Sequence, residues 1–368
     1  MSERIVVKIG SSSLTSDEGG LNRDRIRYFA TELAALHQAG HAVILVTSGA
    51  VAAGFRQIGY AARPKLVHEK QAAAAVGQAL LMQAYQEAFG GFGIVAAQIL
   101  LTRADFSNRR RIQNAQMTIE ELLRQRIIPI INENDTVSTD ELVLKFGDND
   151  QLSALVAAMT KGSRLVIITD MDGLYTEDPR KNPQAVKIER VEQITGDIMQ
   201  HAGGPGSSVG TGGMRSKIEA ARIATRGGVQ TFIGKVQSPG DLKLAVEGNG
   251  RGTYFDTKLQ SLPMKKQWLG FHSMPQGRIL IDDGAAQALV SGGKSLLPAG
   301  VVSLEGEFLP GDVVEVCDTT GRTLGRGVVS YAAWQIQAVR GLSTEEVKRR
   351  VDAARIEVIH RDDWITLT

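Results

Sequence analysis

The chain has 368 residues, 43% hydrophobic and 22% charged, a normal composition for a globular protein too long for one ordinary compact core, so two domains are expected. Its 42 basic and 40 acidic side chains leave a net charge of +2, which gives no case for general nucleic-acid binding. The single cysteine, Cys317, excludes an intrachain disulfide and a cysteine metal cluster, the six histidines show no HExxH spacing, and no cleavable signal or run near the ~20 apolar residues of a membrane span is present, so a cytoplasmic enzyme is the default.

In chain order, residues 5–9 read as a buried strand. Residues 24–38 carry Ile26, Phe29, Ala30, Leu33 and Leu36 at helical spacing, with Gly40 as the stop. Residues 43–46 form a strand and 69–89 an Ala-, Gln- and Leu-rich helix. Strand 94–101, helix 109–125, strand 127–131, a short helix 150–159 and strand 165–168 follow, then helix 214–226 and strand 229–233. This alternation predicts an α/β fold, a three-layer α/β/α arrangement around a mainly parallel sheet. Ligands of such sheets sit beyond the C-terminal strand ends. Polar clusters occur at those ends: Gly10 with Ser11, Ser12 and Ser13, Thr47 with Ser48 and Gly49, the run Asn132 to Asp135, and Thr169 with Asp170.

The texture changes near residue 257. From 276 onward, short alternating runs at 278–281, 301–304, 313–316 and 327–331 are separated by turn signals, which predicts a small β-barrel of roughly 80–90 residues. The expected domains are therefore 1–257 and 276–368, joined by a linker over 258–275.

Two lysines carry the chemistry. Lys8 lies in an otherwise apolar strand, where an unpaired ammonium is costly, so it should meet an anion at the strand end beside Gly10 and Ser11. The competing reading is an edge-strand lysine facing solvent. Far along the chain, Thr211, Gly212 and Gly213 lead into a helix whose first turn holds Met214, Arg215, Ser216 and Lys217. Free N–H groups, the positive helix end and a lysine suit phosphate, whereas the bland alternative is a mobile glycine loop. Two such sites in one α/β chain suggest phosphoryl transfer without a P-loop. Asp148, Asn149 and Asp150 open the 150–159 helix; Asp148 can be an N-cap and no more, but three polar residues near Asn134 and Asp135 can orient magnesium-linked groups or bind a substrate ammonium and position lysines. Thr169 and Asp170 are assigned to nucleotide contact, and Asp172-Gly173 to a tight turn. Gly292-Gly293-Lys294-Ser295 imitates a Walker A tail but has Ala288 where the pattern needs glycine, and no GxGxxG occurs.

In this order, Lys8 with Gly10, Ser11 and Ser12, the run 47–50, Ile131 to Asp135, Gly147 to Asp150, Thr169 with Asp170, and Gly210 to Lys217 closely resemble the amino-acid kinase family. The Asn-Glu-Asn-Asp and Gly-Asp-Asn-Asp runs narrow the resemblance to its glutamate 5-kinase branch, and the C-terminal region looks like a PUA domain. The resemblance covers essentially the whole chain. It implies transfer of phosphate from ATP to the side-chain carboxylate of L-glutamate, giving L-glutamyl 5-phosphate as the first step of proline biosynthesis. It further implies Mg²⁺, feedback inhibition by proline, homo-oligomers (dimer or tetramer) and a cytoplasmic location. Carried over by position, Lys8 and Lys217 contact the transferring phosphate and Asp150 orients the lysines or the glutamate ammonium. Ser48, Asp135 and Asn149 then bind glutamate; Lys8, Gly10, Ser11, Thr169, Asp170 and Thr211 through Lys217 bind ATP. One departure is a slightly longer stretch over 141–146, which bears on the strength of proline inhibition.

The chemistry is coherent without the resemblance: a carboxylate is already an anionic nucleophile, so the problem is charge repulsion, which lysines, Mg²⁺ and backbone donors reduce. An acyl phosphate is easily hydrolysed, so closure against water is expected, with 203–213 as the lid candidate. Two alternatives stay open: another phosphotransferase of the family, or an RNA-binding PUA protein with a degenerate kinase domain. Intact Lys8 and Lys217 and the near-neutral charge argue against the second.

Overall fold

A computed structural model of the chain describes residues 2–16, 20–138, 149–179, 181–201, 213–257, 275–350 and 356–367. It divides into two compact units, one of Met1–Asp105 with Arg109–Ser261, the other of Leu262–Thr368 with Phe106–Asn108.

The first unit contains β1 (Arg4–Ile9), β2 (Ala42–Val46), β3 (Ala96–Leu101), β4 (Ile128–Glu133) and β5 (Arg164–Ile168). After them come the short pair β6 (Leu174–Tyr175) and β7 (Lys187–Ile188), then β8 (Arg190–Val191), β9 (Gln230–Gly234) and β10 (Gly252–Phe255). The main sheet has the order β3-β4-β2-β1-β5-β9-β10-β8. From β3 to β9 every neighbouring pair is parallel; β10 runs antiparallel to β9, and β8 follows the direction of β10. The strand tips after Ile9, Val46, Glu133 and Ile168 therefore share one edge. The chain builds outward from β1 through β2 and then returns to β5 on the opposite flank of β1. This reversal makes the tip of β1 a topological switch point, where open α/β sheets leave a crevice.

Strand alternation sorts the two faces of β1. Ile5, Val7 and Ile9 enter the core cluster with Leu45, Val166 and Ile168 and with the helices Arg23–Gln38 and Val67–Gly90. Val6 and Lys8 are left for the other face, which the helix Asp150–Met159 covers. That helix is buried almost all round because the helix Met214–Arg226 packs on it in turn. In Met214–Arg226 the buried stripe runs Lys217, Ala221, Ala224, at the i, i+4, i+7 spacing of one helix face.

Some expected boundaries shift for tertiary reasons. β4 continues past Ile131 through Asn132 and Glu133, because their backbones pair with Leu100 and Leu101 of β3 although their side chains are polar. The serine cluster after β1 forms a short helix, Ser11–Leu14, whose Leu14 is fully buried. The helix Ala50–Gly54 and the helix Val67–Gly90 touch through backbone: a Cβ on Gly77 would lie 1.8 Å from the Ala50 carbonyl oxygen, and one on Gly54 2.0 Å from that of Ala73. Only glycine permits this approach.

The second unit holds a five-stranded sheet, β12-β11-β13-β14-β15, formed by β11 (Gly277–Ile281), β12 (Val301–Gly306), β13 (Val313–Cys317), β14 (Thr323–Val329) and β15 (Ile359–Thr366). Its core includes Ile279, Ile281, Val314, Val316, Ile336 and Trp364. The alternating pattern marks three of these strands and misses β15 altogether; the structure corrects it in two further places. The strand expected at 327–331 is Thr323–Val329, because Gly325 and Gly327 are strand glycines, a Cβ at either meeting Trp364 or Ile359 within 2.7 Å. The unit is also not strands alone: the helices Asp283–Val290, Ala333–Val339 and Thr344–Arg350 belong to it.

Candidate active site

At the tip of β1, the Lys8 ammonium reaches the helix face across the sheet and lies 2.7 Å from Asp150 Oδ1. Lys217 Nζ lies 3.1 Å from Asp150 Oδ2, and the Ser216 hydroxyl donates to the same oxygen at 2.7 Å. All three charges are buried: Lys8 is 1% exposed, Asp150 0% and Lys217 6%. Two lysines 209 positions apart in the chain (217 − 8) thus converge on one carboxylate. Burying three ions is tolerable only with such pairing. The cluster carries a net charge of +1 and its lysines are held by one shared anchor, an arrangement that offers positive charge to an incoming anion. Asp150 also sits in the first turn of its helix, where the positive end of the backbone dipole favours a carboxylate.

Asn149 is the N-cap of the Asp150 helix, but its side chain makes no cap bond. Its Nδ2 instead donates to the Thr47 carbonyl and, at 2.5 Å, to Asn132 Oδ1. Asn132 Oδ1 also accepts from the Glu133 backbone N–H, and Asn132 Nδ2 donates to Gln78 Oε1 at 2.8 Å. Gln78 Nε2 continues to Gln98 Oε1 at 2.8 Å. Backbone groups at Thr47 and Glu133 fix the direction of this amide chain, since a carbonyl only accepts and an N–H only donates. Both Nδ2 hydrogens of Asn149 are committed, so what it offers a substrate is Oδ1, an acceptor suited to an ammonium. Tyr85, fully buried, braces the other side of Thr47 through a 3.0 Å hydroxyl contact, and burial drives its phenol well above the usual range.

Next to this chain is a cavity of about 300 Å³ lined by Ala50, Gln78, Gln98, Glu133, Asn134 and Asp135, among others. Burial pushes Glu133 up to about 7, aided by the carboxylates of Asp135 and Asp105 and opposed by its bond with Ser138. Burial likewise raises Asp135 to about 6 against the pull of Arg63.

The remaining expected residues are distributed around the same sheet edge. Ser48 follows β2 and is buried. Gly10 caps the short Ser11–Leu14 helix at the end of β1. Thr169 follows β5, its backbone N–H donating to Gly234 and its hydroxyl to Asp170. Gly213 caps the Met214–Arg226 helix in extended conformation, with Met214, Arg215 and Ser216 in the first turn. Thr211 and Gly212, Asp148, the 141–146 stretch and lid positions 203–212 lie outside the described residues. Among the described residues no group of three or more His, Cys, Asp or Glu is arranged to hold a metal, and no helix is long and apolar enough to cross a membrane.

Sequence reasoning gave no role to Thr47, Gln78, Gln98, Tyr85 or Asn132, and none to Glu133 individually. Asn132 and Glu133 had a signal, polar residues closing an apolar strand. Gln78 and Gln98 had none, because their pairing depends on how a helix packs over a strand 20 positions away.

Known proteins of similar sequence identify the family. Residues 3–235 match the family model described as "Amino acid kinase family", and residues 277–351 match the PUA domain. The chain is 51% identical over 366 residues to the glutamate 5-kinase of Geobacillus kaustophilus and 50% identical over 366 residues to that of Geobacillus thermodenitrificans, in each case spanning 99% of this chain and 97% of the relative. It is 48% identical over 366 residues to a Bacillus cereus glutamate 5-kinase, covering 99% of both. On the buried lysine–carboxylate–lysine cluster at the switch point and on these full-length matches, the chain belongs to the amino acid kinase family and, within it, to the glutamate 5-kinases.

Proposed function

We propose that this enzyme transfers the γ-phosphoryl group of ATP to the side-chain carboxylate of L-glutamate, releasing ADP and L-glutamyl 5-phosphate, the entry reaction of proline biosynthesis. The observation that carries the reading is the convergence of Lys8 and Lys217 on Asp150. The glutamate carboxylate attacks phosphorus as the bond to the ADP oxygen breaks, so no general base is needed at neutral pH. The obstacle is repulsion between two anions. Lys8 and Lys217 lower it from opposite sides and stabilise charge spreading over the equatorial phosphate oxygens. Asp150 keeps both ammoniums aimed. Serving as acceptors, Asn149 Oδ1 and Asp135 suit the substrate ammonium, with Ser48 beside them. ATP is assigned to Gly10, Ser11, Thr169, Asp170 and the segment Thr211 to Lys217. The 13-residue Met214–Arg226 helix supports this, since its N-terminal backbone donors adjoin Lys217. Magnesium is assigned to the nucleotide's own phosphates. Inhibition by proline, dimers or tetramers, a cytoplasmic location and the domain limits 1–257 and 276–368 belong to the same proposal, supported by the family resemblance.

An acceptor screen on purified enzyme tests the reading, with glutamate, aspartate, acetylglutamate, carbamate and nucleoside monophosphates offered alongside Mg·ATP. Glutamate should be the preferred acceptor. In Lys217→Ala, loss of ~2–4 kcal/mol of transition-state stabilisation should lower kcat by about 10²–10³ while the KM for glutamate changes little. Preference for another acceptor, or an unchanged kcat in Lys217→Ala, rejects the mechanism.

A further inference from the structure

The cavity beside the amide chain has an unusual lining. Its polar groups are two carboxylates, Glu133 and Asp135, the amides of Gln78, Gln98 and Asn134, and Thr136; the rest is alanine and leucine, with no cationic side chain among the described lining residues. Glu133 is only 5% exposed, and among the described residues its Oε1 has no hydrogen-bond partner. A buried carboxylate oxygen without a donor is among the costlier features a fold can keep. Structural packing alone would be served better by an apolar residue at the end of β4. That oxygen has no accessible surface of its own, so a cation in the cavity would remove the deficit once the carboxylate turns toward it.

The acceptor assigned above has one cationic group, its α-ammonium. Its reacting carboxylate must lie near Lys8 and Lys217 at the tip of β1. In the sheet order β3-β4-β2-β1, one strand separates β4 from β1. At about 4.8 Å per strand, the tips of β4 and β1 are roughly 10 Å apart. An extended glutamate with a hydrogen bond of roughly 3 Å at each end covers that span. The last torsion of a glutamate side chain is broad and two-fold, so its rotation alone turns a carboxylate oxygen toward the cavity.

We propose that Glu133 is a specificity-determining residue of the acceptor site, its carboxylate receiving the substrate's α-ammonium and so selecting an amino diacid over a simple dicarboxylate. This rests on the glutamate reading above and adds to it a residue outside the set Ser48, Asp135 and Asn149. A second consequence concerns protons. Asp135 and Asp105 face Glu133 with like charge, Ser138 and the backbone N–H of Arg103 bond to it, and Arg63 acts on Asp135. In the free enzyme near pH 7 these groups and burial leave Glu133 about half protonated; an arriving ammonium reverses the balance, and the proton leaves to buffer.

The test compares the full-length wild type with Glu133→Gln, using glutamate and glutarate as phosphoryl acceptors. Losing one charge-assisted hydrogen bond should raise the KM for glutamate by about 10–100-fold, leave kcat within about threefold, and leave the KM for glutarate unchanged. Calorimetric titration of glutamate at pH 7 in buffers of different ionisation enthalpy should show release of about 0.5 proton from the wild type and much less from the variant. Equal losses with both acceptors, or an unaltered KM for glutamate, overturn the inference and leave the kinase reading intact. A wild type that phosphorylates other acceptors but not glutamate overturns the parent reading instead. If Glu133→Gln does not fold, Glu133→Asp decides by the same split between glutamate and glutarate, and an unaltered KM for glutamate overturns the inference.

Discussion

Replacing Asp150 by asparagine keeps the shape of the central side chain and deletes its charge. In the native site its oxygens lie 2.7 Å from Lys8 Nζ and 3.1 Å from Lys217 Nζ. At an effective dielectric near 20, each contact represents about 5–6 kcal/mol of gross attraction. Most of it offsets the several kcal/mol needed to desolvate each buried ion. Asp150→Asn removes the attraction and keeps the desolvation of two ammoniums, so the cost should resemble that of breaking other buried pairs, about 3–5 kcal/mol. Urea unfolding followed by fluorescence or circular dichroism would read this as a lower midpoint at unchanged slope. The variant also keeps two buried positive charges and loses the negative charge of Asp150, which makes it a better anion site than the wild type. Inorganic phosphate at 100 times its Kd should restore ~2.7 kcal/mol to Asp150→Asn, and the gain should exceed that of the wild type at the same concentration. A loss under about 1 kcal/mol, or equal phosphate gains in the two proteins, would refute the view that this carboxylate neutralises and aims both lysines.

Two further outcomes test the supporting structure. Gly77→Ala places a methyl 1.8 Å from the Ala50 carbonyl oxygen, where only backbone can yield; separating the two helices should cost ~1–3 kcal/mol in urea unfolding and raise the KM for glutamate, and a variant as stable as the wild type would contradict the close contact. Asn132→Ala leaves Asn149 Nδ2, Gln78 Oε1 and the Glu133 N–H each short of a partner; a loss of ~2–4 kcal/mol is expected, with the KM for glutamate rising more than that for ATP, and parallel changes in the two constants would show that the amide chain does not serve the acceptor side specifically.

Much of this molecule is legible along the chain. The alternation of apolar runs at periods of 2 and 3.6 marks the parallel sheet, since burial of both sheet faces demands those patterns. Lys8 announces itself as a charge inside a buried strand, and Lys217 as a charge in the first turn of a glycine-led helix. Both need a counter-ion, and the chemistry of that need is local. The C-terminal unit is less legible: Gly325 and Gly327 interrupt the alternation of β14 while serving as gaps for Trp364 and Ile359, neighbours supplied from 30 or more positions away.

Residue chemistry alone thus determined that two cations had to find anions at strand and helix ends, because an ammonium in an apolar setting is too costly to leave unpaired. Only the folded arrangement decided that one carboxylate serves both, that four amides from Gln98 to Asn149 form one chain, and that Glu133 lines a cavity while one of its oxygens is buried and unmatched. Those relations depend on which strands are neighbours and on how closely helices approach, quantities set by packing between distant segments and carried by no local pattern.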